Sequence, residues 1–391
     1  MSFPLPRIRI EDAHLAADGG PVRVVVTDVG APLTLTLSGL GRRLDAAGDR
    51  LRLLIDPDDV ARAAADDGDL RPFARALLAA IEGWSGPAPD VPLAGGVLRT
   101  SAVPAIMGVL NVTPDSFSDG GTDYDPATHP GPAVAAGRAL IAAGADIVDV
   151  GGESTRPGAA PVDVDEELAR VVPVVRALAD DGAVVSIDTV KAPVATAAVE
   201  AGAALVNDVS AGRLDADLLA TVAALEVPYV VTHMQGTPRT MQQRPHYDDV
   251  VAEVFEQLGR DVDRAVDAGI APGRIIVDPG IGFGKTVSHN AALLARLREV
   301  SGLGHAVLVG TSRKSFIGHL TGVDDPLDRL EGSLASVVLA VDQGASIVRV
   351  HDVAATRRAL RVAGAIGAMR PHAATELTLA ARTDVGVVQP R

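Results

Sequence analysis

Short apolar runs alternate with longer alanine-rich stretches from about residue 95 to residue 365. Eight of the runs have the length of buried strands, and the stretches between them have the length of helices. The predicted strands are Ile106–Leu110, Ile147–Val150, Val184–Ile187, Leu205–Val206, Tyr229–Val231, Ile275–Val277, Val307–Val309 and Ile347–Val350. The predicted helices are Ala133–Ala143, Glu166–Ala179, Val194–Ala201, Ala216–Leu225, Val250–Ala268, Ala291–Val300, Glu331–Val341 and Val353–Ala365. Eight such units predict an α/β fold, a (β/α)8 TIM barrel. A doubly wound open sheet is the alternative, but no GxGxxG fingerprint follows the first strand.

Residues 1–90 have a different pattern, which predicts a small α+β accessory domain without a catalytic group. Its predicted elements are the strands Val22–Thr27, Leu33–Leu37 and Leu51–Ile55, a turn at Gly30–Pro32, and helices at Asp58–Ala65 and Pro72–Gly83. The Pro- and Gly-rich stretch Trp84–Gly96 predicts a linker that few contacts cross. Gly96–Val103 is a candidate hairpin at the bottom of the barrel. We therefore expect an accessory domain over 1–90, a catalytic barrel over 91–370 and a tail over 371–391.

Composition narrows the possible partners. The 391 residues fit one barrel plus an extra piece. A net charge of −15 argues against nucleic acid or an anionic membrane as a partner. No long uncharged apolar run is present, so we expect a soluble, cytoplasmic protein. The absence of cysteine means that any metal is held by oxygen or histidine. Only three lysines occur, which suggests that each is needed as an ammonium: Lys191, Lys285 and Lys314.

A polar residue follows each of the eight predicted strands. In a TIM barrel all of these side chains project into one mouth, where such enzymes place their chemistry. The strand-end residues are Asn111, Ser154, Thr155, Arg156, Asp188, Asn207, Asp208, His233, Asp278, Ser312, Arg313, Lys314, Arg349 and His351. One such residue is common, but a set at all eight strands indicates an active site.

The strand-end set divides by charge. One group offers cationic or neutral donors suited to a phosphate or diphosphate: Asn111, Arg156, Lys314, Arg349 and His351. The acidic loop residues Asp115 and Asp119 would repel a bare anion but could hold a Mg²⁺ ion that bridges it.

A second group consists of Asp188, Asn207 and Asp278. A buried carboxylate can accept from two adjacent N–H donors, and an amide and an ammonium can meet the neighbouring acceptors. This combination matches the edge of a guanine-like heterocycle. The glycine-rich run at 280–285 lets the backbone approach a ligand closely, although it is not a Walker loop.

Eight segments, in order, resemble the motifs of the dihydropteroate synthase family. They are NVTPDSFSDGG, GGESTRPG, SIDTVK, NDVSAG, HMQGTP, DPGIGFGK, GTSRKSFIG and RVHDV, and the resemblance extends from Met107 to about Ala365. It implies a barrel enzyme that condenses 6-hydroxymethyl-7,8-dihydropterin diphosphate with p-aminobenzoate, giving 7,8-dihydropteroate and diphosphate for folate synthesis. It also implies Mg²⁺ as cofactor and a homodimer. Thr232 stands where the resemblance implies methionine, so one wall of the pterin pocket does not follow from the resemblance.

The resemblance assigns roles to individual positions. Those implied for pterin binding are Asp188, Asn207, Asp278 and Lys314. Those implied for diphosphate binding are Asn111, Thr155, Arg156, Arg349 and His351, with Asn111 also a Mg²⁺ ligand. Those implied for the p-aminobenzoate pocket are Phe117, Pro157, Phe283 and Ser315. The candidates for catalysis are Asp188, Lys314, Arg349 and His351.

Two other functions are compatible with parts of this pattern. A pterin-binding methyltransferase that acts with a cobalamin protein would share the aspartate and asparagine pterin site. It would not need the lysine–serine pair of SRKS or the arginine and histidine of RVHDV. A non-catalytic pterin-binding protein is the other possibility, but the complete set of diphosphate donors argues against it.

Overall fold

The protein is described here from a computed structural model, which covers residues 7–11, 22–27, 41–47, 50–65, 71–100, 103–114, 129–154, 161–237 and 239–367. The strands are β1 (Arg7–Ile10), β2 (Val22–Thr27), β3 (Gly41–Ala47), β4 (Arg50–Ile55), β5 (Val91–Leu93), β6 (Gly96–Leu98), β7 (Ala105–Asn111), β8 (Ile147–Gly151), β9 (Val185–Asp188), β10 (Leu205–Asp208), β11 (Tyr229–Thr232), β12 (Ile275–Asp278), β13 (Ala306–Val309) and β14 (Ile347–Val350). The helices are α1 (Pro57–Ala65), α2 (Arg71–Ser85), α3 (Gly131–Ala142), α4 (Val164–Asp180), α5 (Ala192–Glu200), α6 (Leu218–Leu225), α7 (Val250–Asp267), α8 (Val287–Ala295), α9 (Arg298–Ser301), α10 (Ser315–Thr321), α11 (Leu330–Asp342) and α12 (Val353–Gly367).

Strands β7 to β14 are parallel and close into a barrel, which confirms the predicted (β/α)8 fold. Helix starts follow local chemistry: the Asp249 carboxylate caps α7 by accepting from the backbone N–H groups of Val251 and Ala252. Across the described ranges, no helix is both long and apolar enough to cross a membrane.

Side chains of the barrel strands alternate between two environments. In β8, Val148 and Val150 pack outward in the core shared with the helices, whereas Ile147 faces the barrel interior. The lower interior is apolar and includes Met107 and Leu308. The inward positions nearer the carboxyl ends of the strands are polar. This change along each strand separates a packed floor from a polar mouth.

A hairpin closes the bottom of the barrel, as predicted, but with different limits. It pairs β5 with β6, so it begins at Val91 and not at Gly96. Val91 and Leu98 are buried against the apolar floor beside Met107. The burial of these side chains accounts for the earlier start, because an apolar pair under the floor is stabilised by leaving water. The hairpin therefore lies partly in the predicted linker.

The N-terminal part is an antiparallel sheet, in the order β1–β2–β4–β3, covered on one face by α1 and α2. The predicted strands at Val22–Thr27 and Leu51–Ile55 and both helices are confirmed. Strands β1 and β3 were not predicted, and the predicted Leu33–Leu37 strand and its turn lie outside the described residues. The α+β class is confirmed.

The other face of this sheet lies against the barrel. The Arg9 guanidinium donates to the Glu299 carboxylate at 2.5 Å, and both side chains are buried. Arg7 pairs with Asp263 of α7 at 2.7 Å. These contacts contradict the expectation of few contacts between the two parts, because the charged side chains of β1 find their partners on the barrel helices. The predicted domain limits, 1–90, 91–370 and 371–391, stay predictions.

Candidate active site

Polar side chains occupy the inward positions at the carboxyl ends of the barrel strands. Asn111, Asp188 and Asp278 are the last residues of β7, β9 and β12, and Asn207 and Arg349 are the next-to-last residues of β10 and β14. Their places in the inward alternation direct all five side chains to the mouth. The structure thus brings together the predicted pterin and diphosphate residues of these five strands.

Arg349 forms hydrogen bonds with two carboxylates in the mouth, those of Asp149 and Asp188. Its Nε donates to Asp149 Oδ2 at 2.6 Å, and an Nη donates to Asp188 Oδ2 at 2.7 Å. The Asn207 amide donates to the same oxygen of Asp149 at 3.0 Å. Asp149 was missed in the sequence. The available signal was a carboxylate between Val148 and Val150 in a buried strand, at an inward position.

The charge state of this cluster depends on burial. Burial raises the pKa of Asp188 to about 7; Arg349 opposes the shift, and Asp149 reinforces it. Burial alone would lower the pKa of Arg349, but Asp149 and Asp188 raise it above its ordinary value. Arg349 therefore stays charged, whereas Asp188 changes its protonation near neutral pH.

Asp278 and Lys314 form a second group of charged side chains in the mouth. The Asp278 carboxylate accepts from the backbone N–H of Gly280 at 2.7 Å. Burial raises the pKa of Asp278 against the opposing effect of Lys314. Burial lowers the pKa of Lys314 to about 8, and Asp278 opposes that shift. The Lys314 ammonium donates to the Ile281 carbonyl and lies 4.7 Å from the centre of the Phe283 ring.

The glycine-rich loop after β12 must contain glycine for steric reasons. Gly280, Gly282 and Gly284 all have positive φ, at 66°, 85° and 64°. A Cβ atom on Gly280 would lie 1.9 Å from the His233 carbonyl oxygen. The loop backbone can therefore reach the Lys314 side chain and the mouth only with these residues.

Lys285 ends the loop in a buried position. Its side chain is 3% exposed, and its Nζ lies 2.9 Å from His233 Nδ1 and 3.0 Å from the Phe283 carbonyl oxygen. Burial lowers the pKa of both groups well below their ordinary values. His233 was predicted in the mouth, but its Nδ1 is taken by Lys285. We assign both residues to holding the loop.

The predictions for the residues that follow β13 and β14 have two different outcomes. His351 Nδ1 lies 3.0 Å from the Ser312 hydroxyl, so these two predicted mouth residues are in contact. Arg313 instead forms two bonds with Asp352, at 2.7 and 3.1 Å, and has a left-handed φ of 61°. Arg313 was predicted only as one of the strand-end residues of the mouth, and in the structure its guanidinium is paired with a carboxylate in the loop after β14.

Asp208 was also wrongly placed in the mouth. It occupies an outward position of β10, where it accepts from the Tyr229 hydroxyl at 2.6 Å. Its carboxylate also accepts from the backbone N–H groups of Ser210 and Gly212. Asp208 therefore holds the loop after β10 and does not face a ligand.

The hydrogen-bond partners of Lys191 indicate a structural role. Its Nζ lies 2.6 Å from Glu153, 2.5 Å from the buried Glu167 and 2.7 Å from the Val162 carbonyl oxygen. Three acceptors around one ammonium explain why lysine is present here. The residue connects the loops after β8 and β9, and does not belong to the mouth.

Several predicted site residues lie outside the described residues. They are Thr155, Arg156, Phe117 and Pro157, together with Asp115 and Asp119. Their roles stay predictions. For the p-aminobenzoate pocket, the described positions are Phe283, which is half-buried beside Lys314, and Ser315, which is exposed at the start of α10.

The mouth was also tested as a Mg²⁺ site. The described part of the chain has no group of three histidine, aspartate or glutamate side chains placed to hold an ion. Asn111 offers an amide oxygen at the end of β7. Mg²⁺ commonly keeps several waters and takes its other ligands from substrate phosphates. One amide ligand therefore fits an ion that would arrive with a diphosphate.

The fold and mouth are those of a pterin-binding barrel enzyme, since residues 107–351 match the family model described as "Pterin binding enzyme". The dihydropteroate synthase of Escherichia coli strain K12 is 50% identical over 263 residues, which are 66% of this chain and 90% of the relative. That of Mycobacterium leprae is 50% identical over 266 residues, 66% of this chain and 92% of the relative. The chain belongs to the dihydropteroate synthase family.

Solved structures agree with this assignment. The Xanthomonas albilineans dihydropteroate synthase with 4-aminobenzoic acid has a TM-score of 0.66 and 48% identity, over 72% of this chain and 99% of that one. The same enzyme in complex with 7,8-dihydropteroate has a TM-score of 0.64 and 46% identity, with the same coverage of each chain. The activity predicted from the sequence, dihydropteroate synthesis, is confirmed, and the methyltransferase alternative finds no support.

Proposed function

We propose that the pterin ring of 6-hydroxymethyl-7,8-dihydropterin diphosphate binds in the mouth against Asp188, Asn207, Asp278 and Lys314. The main support is the burial of two carboxylates that face the mouth. Asp188 and Asp278 are each only 7% exposed. A buried carboxylate needs donors to compensate for lost hydration. The adjacent N–H groups of a pterin edge supply such donors.

The diphosphate then lies at the rim, among the donors predicted for it. Arg349 and His351 lie two residues apart at the carboxyl end of β14, and Asn111 lies on the neighbouring strand β7. Thr155 and Arg156 are proposed to complete this group. Asn111 would be the protein ligand of Mg²⁺, and a bound ion would supply positive charge that stabilises the leaving group.

The reaction is a substitution at the methylene carbon of the pterin. The p-aminobenzoate nitrogen forms the new C–N bond and loses a proton, while the C–O bond to diphosphate breaks and diphosphate leaves with its electron pair. Arg349 and His351 would stabilise the charge that develops on the leaving oxygen. The Asp188 carboxylate would stabilise positive charge that develops on the dihydropterin.

The acceptor is proposed to enter beside Phe283 and Ser315, with Phe117 and Pro157 completing its pocket. Phe283 offers a half-buried ring for stacking, and Ser315 offers a hydroxyl and a backbone N–H at the start of α10. An aromatic ring with a carboxylate at the far end fits these groups.

Product formation tests the proposal directly. The purified protein is incubated with pterin diphosphate, Mg²⁺ and p-aminobenzoate, and dihydropteroate is measured by mass spectrometry, with each component omitted in turn. Asp278→Asn should fold but lower pterin affinity about 10- to 100-fold, because an amide presents only one acceptor to two donors. Parental affinity in a folded Asp278→Asn variant would contradict the pterin assignment.

We further propose that the protein forms a homodimer through its last barrel helices. Helices α10 to α12 and the loop among them carry large apolar side chains that are each more than 60% exposed: Leu320, Leu327, Leu339, Val362 and Ile366. A second copy could cover this surface. Light scattering of the parent and of a Val362→Asp, Ile366→Asp variant tests it. The predicted cytoplasmic location stays a prediction.

A further inference from the structure

Asp149 is a charged side chain in the interior of a barrel strand. It is fully buried and lies two residues after Ile147, which packs in the apolar floor. Carboxylates are almost never fully buried unless they are paired. Its position below the last residues of the strands places it beneath the mouth, so it is a candidate for supporting the groups above it.

Both partners of Asp149 belong to the proposed ligand site. Its Oδ2 accepts from Arg349 Nε at 2.6 Å and from Asn207 Nδ2 at 3.0 Å. An ionised carboxylate has no proton to donate, so the end of Asn207 that faces it must be the NH₂ group. The amide oxygen of Asn207 is thereby directed away from Asp149.

Resting on the function proposed above, we propose that Asp149 is a positioning residue for the pterin and diphosphate site. Through one oxygen it fixes the plane of the Arg349 guanidinium and the orientation of the Asn207 amide. Arg349 is held between Asp149 and Asp188, so its guanidinium spans the ends of β8 and β9.

A second observation separates this role from simple packing. The other oxygen, Asp149 Oδ1, is buried and has no hydrogen-bond partner within the described ranges, and the same holds for the hydroxyl of Ser186, its register neighbour on β9. A carboxylate placed only for stability would be expected to have both oxygens satisfied. The incomplete hydrogen bonding is typical of groups that are selected for a site.

The test is Asp149→Asn, with Asp208→Asn as a matched control. Both changes remove one charge from a buried aspartate with little change in size, but the described hydrogen bonds of the Asp208 carboxylate include neither Arg349 nor Asn207. In Asp149→Asn an NH₂ group would replace one oxygen and face other donors. We expect the KM for pterin diphosphate to rise about 10- to 100-fold, with the KM for p-aminobenzoate within about twofold of the parent. Asp208→Asn should lower the melting temperature and leave both KM values within about twofold.

A double-mutant cycle with Arg349→Met tests whether Asp149 acts through Arg349. The Asp149→Asn change should raise the KM for pterin diphosphate less in the Arg349→Met background than in the parent. If Asp149→Asn alone fails to fold, the double variant should fold, because the cation that faces the new NH₂ group is removed and Asp188, the other partner of Arg349, can take up a proton. The double variant can then be compared with Arg349→Met alone.

Three results would overturn the proposal. They are a folded Asp149→Asn variant with parental KM values, an equal rise in both KM values, and full additivity in the cycle. Failure of the parent enzyme itself to form dihydropteroate would instead overturn the proposed function, so the two failures are distinguishable.

Discussion

Two of the buried arginine–carboxylate clusters among the described residues differ in how completely their hydrogen bonds are satisfied. Between the N-terminal sheet and the barrel, Glu299 accepts from Arg9 and Arg296 through three bonds, which occupy both of its oxygens. In the mouth, Arg349 is held by Asp149 and Asp188, but one oxygen of Asp149 has no partner among the described residues.

The difference distinguishes an interface from a binding site. A complete cluster compensates for the hydration that its charges lose, so it can hold two surfaces in one orientation. An incomplete cluster compensates only in part for the lost hydration, and burial in the same cluster raises the pKa of Asp188. Burial alone does not separate the two cases, since both clusters are deeply buried.

Glu299→Gln should lower the free energy of unfolding by about 3–5 kcal/mol, because it removes the carboxylate shared by Arg9 and Arg296 and leaves the buried Arg9 with Glu11 as its remaining counter-charge. Both KM values should stay at the parental level, since no mouth residue is touched. Urea unfolding and steady-state kinetics measure the two effects. Asp248→Asn, on a 99% exposed side chain, is the control and should change stability by less than about 0.5 kcal/mol. An unchanged unfolding curve for Glu299→Gln would show that the interface cluster does not stabilise the fold.

Arg349→Ala should reduce turnover about 100- to 1000-fold, because it removes a donor directed at the leaving group. His351→Ala should have a smaller effect in the same direction. Free pterin should bind to both variants with less change than pterin diphosphate does, as measured by calorimetry. Parental affinity for pterin diphosphate in both variants would refute the anion site.

The pH dependence of kcat/KM for pterin diphosphate should be bell-shaped, with a maximum between about 7 and 8. Below about pH 7, Asp188 takes up a proton and loses its charge; above about pH 8, Lys314 loses its proton. Each limb should fall about tenfold per pH unit. Lys314→Arg should move the basic limb to higher pH, because a guanidinium keeps its proton. A flat profile between pH 6 and 9 would contradict both assignments.

The same raised pKa predicts how stability changes in the unliganded protein. The pKa of folded Asp188, about 7, lies above its ordinary value of 3.8, so the folded state binds more protons between these values. The contribution of Asp188 to stability therefore grows as the pH falls through 7. Thermal melting of the parent and of Asp188→Asn across this range measures it, and equal slopes would disprove it.

Gly83→Ala should lower stability by about 1 kcal/mol although the residue is helical. The new Cβ would lie 2.9 Å from the backbone oxygen of Ser301 on the barrel side, and that crowding should exceed the gain in helix propensity. Gly364→Ala in α12 is the matched control, because its Cβ meets nothing within 4 Å, and it should stabilise by up to about 1 kcal/mol. The same sign in both variants would contradict close packing at the interface.

The sequence predicted the barrel and most of the mouth because strand ends carry local signals. An apolar run of strand length that stops at a polar residue identifies Asp188, Asn207 and Asp278 without tertiary information. Arg313 and Asp208 show the limit of this reasoning. Each follows or ends a strand, but its direction depends on partners that only the folded chain brings close, Asp352 and Tyr229.

Other misses have related causes. Asp149 lies inside a strand, so a search of strand ends passes over it, although its inward register was available in the sequence. Strand β1 reads RIRI, and its arginines look like surface residues until the barrel helices are placed beside them. Both misses concern charges whose burial is decided by distant segments of the chain.

The Arg9–Glu299 pair also affects how the chain is made. Its two residues are 290 positions apart. At ribosomal rates of about 5–20 residues per second, roughly 15–60 s pass between the synthesis of the first partner and that of the second. During this time the N-terminal sheet can bury its apolar face under α1 and α2, while its other face is still exposed to water. The charged side chains of Arg7, Arg9 and Glu11 keep the exposed face hydrated. They therefore protect the nascent chain from association until the barrel has been synthesised.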